Sequence, residues 1–307
     1  MAGVGLCKPE QLMKAAPVNI HLSWGTLEGL HWARPGAPKV LCLHGWLDNA
    51  ASFVPLAPFL KDFDLLALDF AGHGFSSHRP ETSRYYFTDY LFDIDAAMGE
   101  LGWDKCHIIG HSMGGGVAGC FAAALPERVN RLVLLDSLGI LTLPANQAAQ
   151  QLRRSMLSVR KSRSFLRPYE SVEEAMLARQ SNSPLSDEAA RLLCQRSLEH
   201  TGDYYQWRTD PRLNWRSPQL PGDSQALDLL AAIRSPVLVI TSSSVIEYLG
   251  KDMAQKRLAA IIDCKHVEND GHHHFHMEQA EQVGICITEF LLQQEQDQSQ
   301  GAHHVDS

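Results

Sequence analysis

Between Cys106 and Ala124 the chain passes from an apolar, β-type run into a small-residue helical pattern. Only Gly110-His111-Ser112-Met113-Gly114 stands between the two. No residue is left over for a loop, so strand and helix meet in a very sharp turn. Only small residues fit two positions before and two after the serine of such a turn, and here both are glycine. The turn holds its central residue in strained backbone geometry. Ser112 Oγ is then exposed above a sheet, at the positive end of the following helix, where developing negative charge is favoured. Ser112 is therefore the first candidate functional residue, as a nucleophile.

The rest of the chain sets the bounds. Its 307 residues suit one large α/β domain with an insertion, or two small domains. The formal charge of −8, with no basic cluster standing out, argues against nucleic acid as a partner. No apolar run approaches the roughly 18 residues of a membrane span. The start of the chain lacks a charged leader and a continuous hydrophobic segment, and seven scattered cysteines form no C-x-x-C pair. These features predict a non-secreted protein in a reducing compartment, with the cytoplasm as the default. The C-terminal Val305-Asp306-Ser307 does not match the Ser-Lys-Leu peroxisomal signal.

Strand and helix patterns alternate along the chain, which predicts a mostly parallel sheet with helices on both faces. Val18 to Trp24 and Leu27 to Ala33 read as an opening hairpin. Lys39 to Leu43, Leu65 to Asp69, Arg131 to Leu135, Pro236 to Thr241 and Ala260 to Val267 read as further strands. Phe53 to Leu60, Phe87 to Leu101 and Met277 to Leu292 read as helices. From about Leu138 to Leu230 there are no clear strands, and Val172 to Gln180 and Asp187 to Leu198 carry helical patterns. The expected division is a core over 1–137, a helical cap over 138–230, the second part of the core over 231–293, and a disordered polar tail over 294–307.

Three other segments bear on the chemistry. His44-Gly45-Trp46 follows a strand. Acyl transfer needs two preorganised N–H donors for its oxyanion, and the backbone N–H groups of Trp46 and Met113 are the candidates, with His44 bracing the turn. Gly271-His272-His273-His274-Phe275-His276-Met277-Glu278 supplies histidines late in the chain. One of them can act as general base for a serine. His272, His274 and His276 could also line one side of a loop near Cys264 and Asp270 and bind metal. No second cluster completes a metal shell, so no metal or other cofactor is expected. Asp69-Phe70-Ala71-Gly72-His73-Gly74 reads as a glycine-shaped turn anchored by Asp69.

Together these residues resemble the α/β-hydrolase superfamily over most of 18–293. The strings Leu43-His44-Gly45-Trp46-Leu47-Asp48-Asn49 and Asp69-Phe70-Ala71-Gly72-His73-Gly74-Phe75-Ser76 narrow the likeness. They are similar to the serine hydrolase-like proteins of animals that are related to the insect protein kraken. The resemblance implies an eight-stranded, mostly parallel sheet, a helical cap after the sixth strand, and the chain order nucleophile, acid, histidine. Ser112 matches the family nucleophile. The family places its base five residues before a glutamate, which selects His273, ahead of Glu278. The usual acid follows the penultimate strand, but here Thr241-Ser242-Ser243-Ser244-Val245 follows it, with no carboxylate until Glu247. Asp136, at the end of the sixth strand, is the alternative.

The resemblance implies a serine hydrolase acting on a carboxylic ester or thioester, with a small-molecule acyl substrate and no cofactor. The other reading is a hydrolase-shaped binding protein with an impaired triad. Trp46, Phe53, Met113, Phe165, Tyr204, Tyr205 and Trp207 suggest an apolar cavity, although residues of these types are more often core than pocket.

Overall fold

The structure is a computed structural model that describes residues 15–161 and 167–301. Ten strands and ten helices are numbered here in chain order among those residues. The chain opens with β1 (Ala16–Leu22) and β2 (Gly25–Trp32), an antiparallel hairpin with Ile20 opposite Leu27. Then come β3 (Lys39–Leu43), β4 (Asp64–Leu68), α1 (Asp89–Glu100), β5 (Cys106–His111), α2 (Met113–Ala124) and β6 (Val129–Leu135). Eight strands form one sheet in the order β1-β2-β4-β3-β5-β6-β9-β10, where β9 is Val237–Thr241 and β10 is Cys264–Glu268. Only the pairings of β1 with β2 and of β2 with β4 are antiparallel.

The central strands are covered on both faces, and their sequences show it. β3 reads Lys-Val-Leu-Cys-Leu and β9 Val-Leu-Val-Ile-Thr, with almost every residue buried. Such near-continuous apolar runs belong to parallel strands sandwiched between helices. Strand periodicity still sorts the side chains onto two faces. Leu41, Leu43, Ile108, Leu132, Leu134 and Val239 join Ile94 and Met98 of α1 and Val117 and Phe121 of α2 on one face. Val40, Cys42, Ile109, Val133, Leu135 and Ile240 join Phe53, Ile287 and Phe290 on the other.

Four segments depart from the sequence reading. The helix expected over Phe53 to Leu60 is two single 3₁₀ turns, Ala50–Phe53 and Ala57–Leu60. Pro55 and Pro58 lack the N–H groups that a continuous helix would use. The strand expected over Ala260 to Val267 is shorter, because α8 (Lys251–Ala260) occupies its start. The last helix breaks at Gln279 into α9 (Phe275–Glu278) and α10 (Ala280–Gly301). The polar tail expected from 294 thus continues the helix to Gly301, and 302–307 lie outside the described residues.

Between β6 and β9 lie α3 (Ala148–Lys161), α4 (Val172–Gln180) and α5 (Asp187–Ser197). They are followed by a short antiparallel hairpin, β7 (Leu198–His200) with β8 (Tyr205–Trp207), where the sequence showed no strand signal. Ser171 and Ser186 cap α4 and α5, each accepting a hydrogen bond from the N–H three residues on. Residues Ala175, Met176, Ala189, Ala190, Leu193 and Cys194 give this segment a small core of its own, closed below by Met277. Helix α6 (Asp223–Ala232) straddles the expected boundary at 230, and its Leu230 packs in the sheet-side core. Among the described residues no helix is long and apolar enough to cross a membrane.

Candidate active site

At the tip of β5, Ser112 has φ 51° and ψ −115°. Its N–H donates to the Leu135 carbonyl at 2.9 Å and its own carbonyl accepts from Gly116 N–H at 3.1 Å, which locks the turn. The flanking glycines are required by backbone contact. A Cβ at Gly114 would lie 2.1 Å from the Leu43 carbonyl oxygen, and one at Gly110 would lie 2.5 Å from that of Gly114. Among the described residues the non-glycine positions with positive φ are Leu47, Ser112 and Asp136. All three belong to this site, which is where strained backbone tends to collect.

Asp136 terminates β6, beside the end of β9, and its N–H donates to the Ile240 carbonyl at 2.8 Å. Its Oδ2 lies 2.6 Å from Nδ1 of His273, and Nε2 of His273 lies 3.0 Å from Ser112 Oγ. The other carboxylate oxygen, Oδ1, accepts from the N–H of Ser242 at 2.7 Å and from its hydroxyl at 2.9 Å. Burial works to raise the Asp136 pKa, but hydrogen bonds from His273 and Ser242 outweigh it and hold the carboxyl below its usual value. Glu247 sits exposed on α7 (Ser243–Leu249), away from this chain of contacts. The serine run after β9 therefore has its own function. Where a carboxylate was missing from the expected place, Ser242 instead supports the one on the neighbouring strand.

The other histidines of the late cluster are separated by their partners. His272 is exposed, and its carbonyl accepts from Phe275 N–H. His276 is fully buried, with Nε2 2.7 Å from Ser52 Oγ, and burial drives its pKa well below the usual value. His274 reaches Asp48 Oδ2 at 3.1 Å and Ser183 Oγ at 3.0 Å. Nδ1 of His111 lies 3.6 Å from the same Asp48 oxygen, while its Nε2 donates to the His273 carbonyl at 2.9 Å. That last bond helps to fix the backbone of His273, a contact that no sequence motif announced.

Potential ligand atoms of Asp48, His111 and His274 all lie within 4.8 Å of one another, a spacing that could hold a divalent ion. Arg179 of α4 already brings a cation to this carboxylate, donating to Asp48 Oδ1 at 2.6 Å. The carboxylate is therefore charge-matched as it stands, with one oxygen taken by the guanidinium. His274, His111 and Arg179 together outweigh the effect of burial and hold the Asp48 carboxyl well below its usual pKa.

The turn at Gly45 packs onto this network. A Cβ there would come within 2.9 Å of both Asp48 Oδ2 and His111 Nδ1. His44 bridges the turn, with Nδ1 donating to the Gly45 carbonyl at 2.7 Å and Nε2 accepting from Phe70 N–H at 3.0 Å. Acceptance at Nε2 needs a neutral ring, and burial lowers the His44 pKa to about 4. Among the described residues, neither Trp46 N–H nor Met113 N–H is given to another backbone group. Asp69 accepts from Ala50 N–H, Phe75 N–H and Arg196, in the scaffold position expected of it.

Ser112, His273, Trp46 and Leu47 open onto one cavity of about 640 Å³. Its lining is mixed rather than wholly apolar. Trp46, Tyr169 and Trp207 contribute, but so do Arg167, Arg179, Asn182, Ser183, Thr209 and Asn214. Phe53 is buried in the sheet core instead, Tyr204 is exposed, Tyr205 pairs with Tyr169 in an isolated bridge, and Phe165 lies outside the described residues.

Sheet order, elbow and helical insertion together define an α/β hydrolase, and the α/β-hydrolase fold family profile matches residues 38–279. The chain belongs to that family. It is 33% identical over 301 residues to the serine hydrolase-like protein of Danio rerio, covering 93% of this chain and 91% of that one. A crystal structure of a hypothetical protein from Pseudomonas aeruginosa PAO1 superposes with a TM-score of 0.81 at 36% identity. That likeness covers 89% of this chain and 97% of the bacterial one. The thioesterase domain from the curacin biosynthetic pathway shares the fold, with a TM-score of 0.78 at 24% identity over 89% of this chain and 99% of that domain.

Proposed function

We propose that this protein is a serine hydrolase that cleaves a carboxylic ester or thioester through an acyl-enzyme. The observation that carries this reading is the unbroken line from Asp136 Oδ2 through the His273 ring to Ser112 Oγ, at 2.6 and 3.0 Å. Asp136, ionised and acceptor-only, requires the proton on Nδ1 of His273, which leaves the Nε2 lone pair facing the serine hydroxyl. Ser112 Oγ attacks the acyl carbon as its proton passes to Nε2. The carbonyl π-electrons move onto oxygen, and the N–H groups of Trp46 and Met113 receive that oxyanion. The carbon–oxygen or carbon–sulfur bond then breaks, and the leaving group takes the proton from Nε2. Water attacks the acyl-enzyme by the same path, giving its proton to His273, which returns it to Ser112 as the carboxylic acid departs.

The thioester option is supported by the shared fold of a thioesterase domain and by a cavity wide enough for a small to medium acyl group. The test is labelling of the purified protein by a fluorophosphonate, with Ser112→Ala beside it, together with hydrolysis of short p-nitrophenyl and acyl-thioester substrates. Labelling confined to the unaltered serine, and a rate loss of about 10⁵ to 10⁶ in Ser112→Ala, are expected. Folded protein that neither labels nor turns over either substrate would leave the binding-protein reading in its place.

A further inference from the structure

Helix α3 is built inside out. Gln151, Ser155 and Ser158 follow one another at helical spacing and face inward, with Gln151 6% and Ser155 2% exposed. Gln151 donates to the Ser217 carbonyl at 2.7 Å, and Ser158 Oγ accepts from Arg216 N–H at 3.0 Å. One residue round the helix, Leu152, Met156 and Val159 form the matching apolar stripe. Leu152 is 50% and Met156 55% exposed, and Val159 is half-buried. The inward hydrogen bonds fix the rotation of the helix, so the apolar stripe is held toward solvent. A helix that packs only against its own protein shows the opposite arrangement.

Charge follows the same helix. Its residues 148–161 contain Arg153, Arg154, Arg160 and Lys161 and no acidic residue. With four positive charges here in a chain of formal charge −8, the remainder carries −12. The sequence reading that no basic cluster stands out therefore fails for this segment, where helix geometry gathers Arg153 and Arg160 beside the apolar stripe. Further along, Arg167, Arg179, Arg191, Arg196, Arg208 and Arg212 each sit with a carboxylate. Among the described residues, Arg153, Arg154 and Arg160 have no such partner.

We propose that α3 is an interfacial helix that docks this face of the protein onto an anionic lipid bilayer. An aliphatic stripe flanked by arginines suits the boundary between headgroups and acyl chains. Nucleic acid would use the charge but leave Leu152 and Met156 in water. Arg167, which follows α3 closely in the chain, lines the cavity that holds Ser112. Docking would therefore bring the bilayer near the chamber where lipophilic acyl groups would be received.

The test is co-sedimentation of the full chain with phosphatidylcholine vesicles, with and without phosphatidylserine. Binding to the anionic vesicles, released by salt, is expected. Arg153→Gln with Arg160→Gln should weaken it about 25-fold, from about fivefold per charge. Leu152→Ser with Met156→Ser, which leaves the charge unchanged, should weaken it at least about tenfold. These positions are exposed, and circular dichroism checks that each variant folds. No sedimentation at low salt would overturn the proposal. So would binding that ignores Leu152 and Met156 and is competed by RNA, which would mark a polyanion site instead.

Discussion

The floor and the roof of the cavity are fixed by different forces. On the floor, Ser112 and Asp136 sit at strand ends with positive φ, held by backbone hydrogen bonds and by glycines that no other residue can replace. On the roof, Arg179 reaches down from α4 to Asp48, 131 residues away, and Arg167 pairs locally with Glu174. Floor geometry follows from the sheet and allows little choice of side chain. Roof geometry depends on pairs of long side chains, so it can change without disturbing the fold. The proposed chemistry is thus tied to the strands, while the inserted helices supply much of the rest of the cavity wall.

The largest expected effect tests the floor. Asp136→Asn keeps the shape but removes the charge that fixes the His273 tautomer, and should lower the rate by about 10⁴. Glu247→Gln should leave it unchanged. Steady-state ester hydrolysis by both variants decides between them. A large loss in Glu247→Gln with little in Asp136→Asn would invert the reading of the floor.

That experiment also marks where the sequence stopped being informative. Ser112 was legible because its constraint is local: strand, glycine, serine, glycine and helix are contiguous. His273 was separable from its neighbours only through family spacing, since four histidines in five residues share one composition. The candidate acid was only half legible, because Asp136 and Glu247 both stood open. Choosing Asp136 over Glu247 requires knowing that β6 and β9 are neighbours, with Leu135 opposite Ile240, so that Asp136 and Ser242 meet at the strand ends. The serine run after β9 was the available signal, since an N-capping hydroxyl at that position can serve a carboxylate next door. The polar roof was hidden for the same reason, because partners far apart in sequence leave no local pattern. In Phe53 to Leu60 the opposite occurred: apolar spacing suggested a helix that two prolines forbid.

A second effect comes from the histidines under the floor. Burial lowers the pKa of His44 and His111 to about 4 and that of His73 to about 3, from an ordinary 6.5. The unfolded chain therefore binds more protons than the folded one between about pH 6.5 and 4. The stability these rings contribute is fully present above pH 6.5 and is lost as pH falls through that window. Their coupling makes the sum smaller than three separate shifts, on the order of 5 kcal/mol. Urea unfolding at pH 7.5 and pH 5 should show a clear drop. A flat profile across that window would mean that the floor is wetter than its burial indicates.

The smallest effects separate two arginines that face the same cavity. Arg179 serves a carboxylate that is almost wholly buried, whereas both partners of the Arg167–Glu174 pair meet solvent. Arg179→Met leaves Asp48 with His274 and, farther off, His111, so the charge is only partly uncompensated. A loss of about 2 kcal/mol is expected, below the full penalty for breaking a buried pair. Arg167→Met should lose less than about 1 kcal/mol, because an exposed pair gains little over its hydration. In thermal unfolding of a chain this size, that predicts a fall of about 4–8 °C for the first and at most about 4 °C for the second. Equal falls would remove the distinction between buried and exposed pairs in the roof. A larger fall for Arg167→Met would mean that its stacking over the Tyr169 ring, 5.3 Å from guanidinium to centroid, outweighs its ion pair.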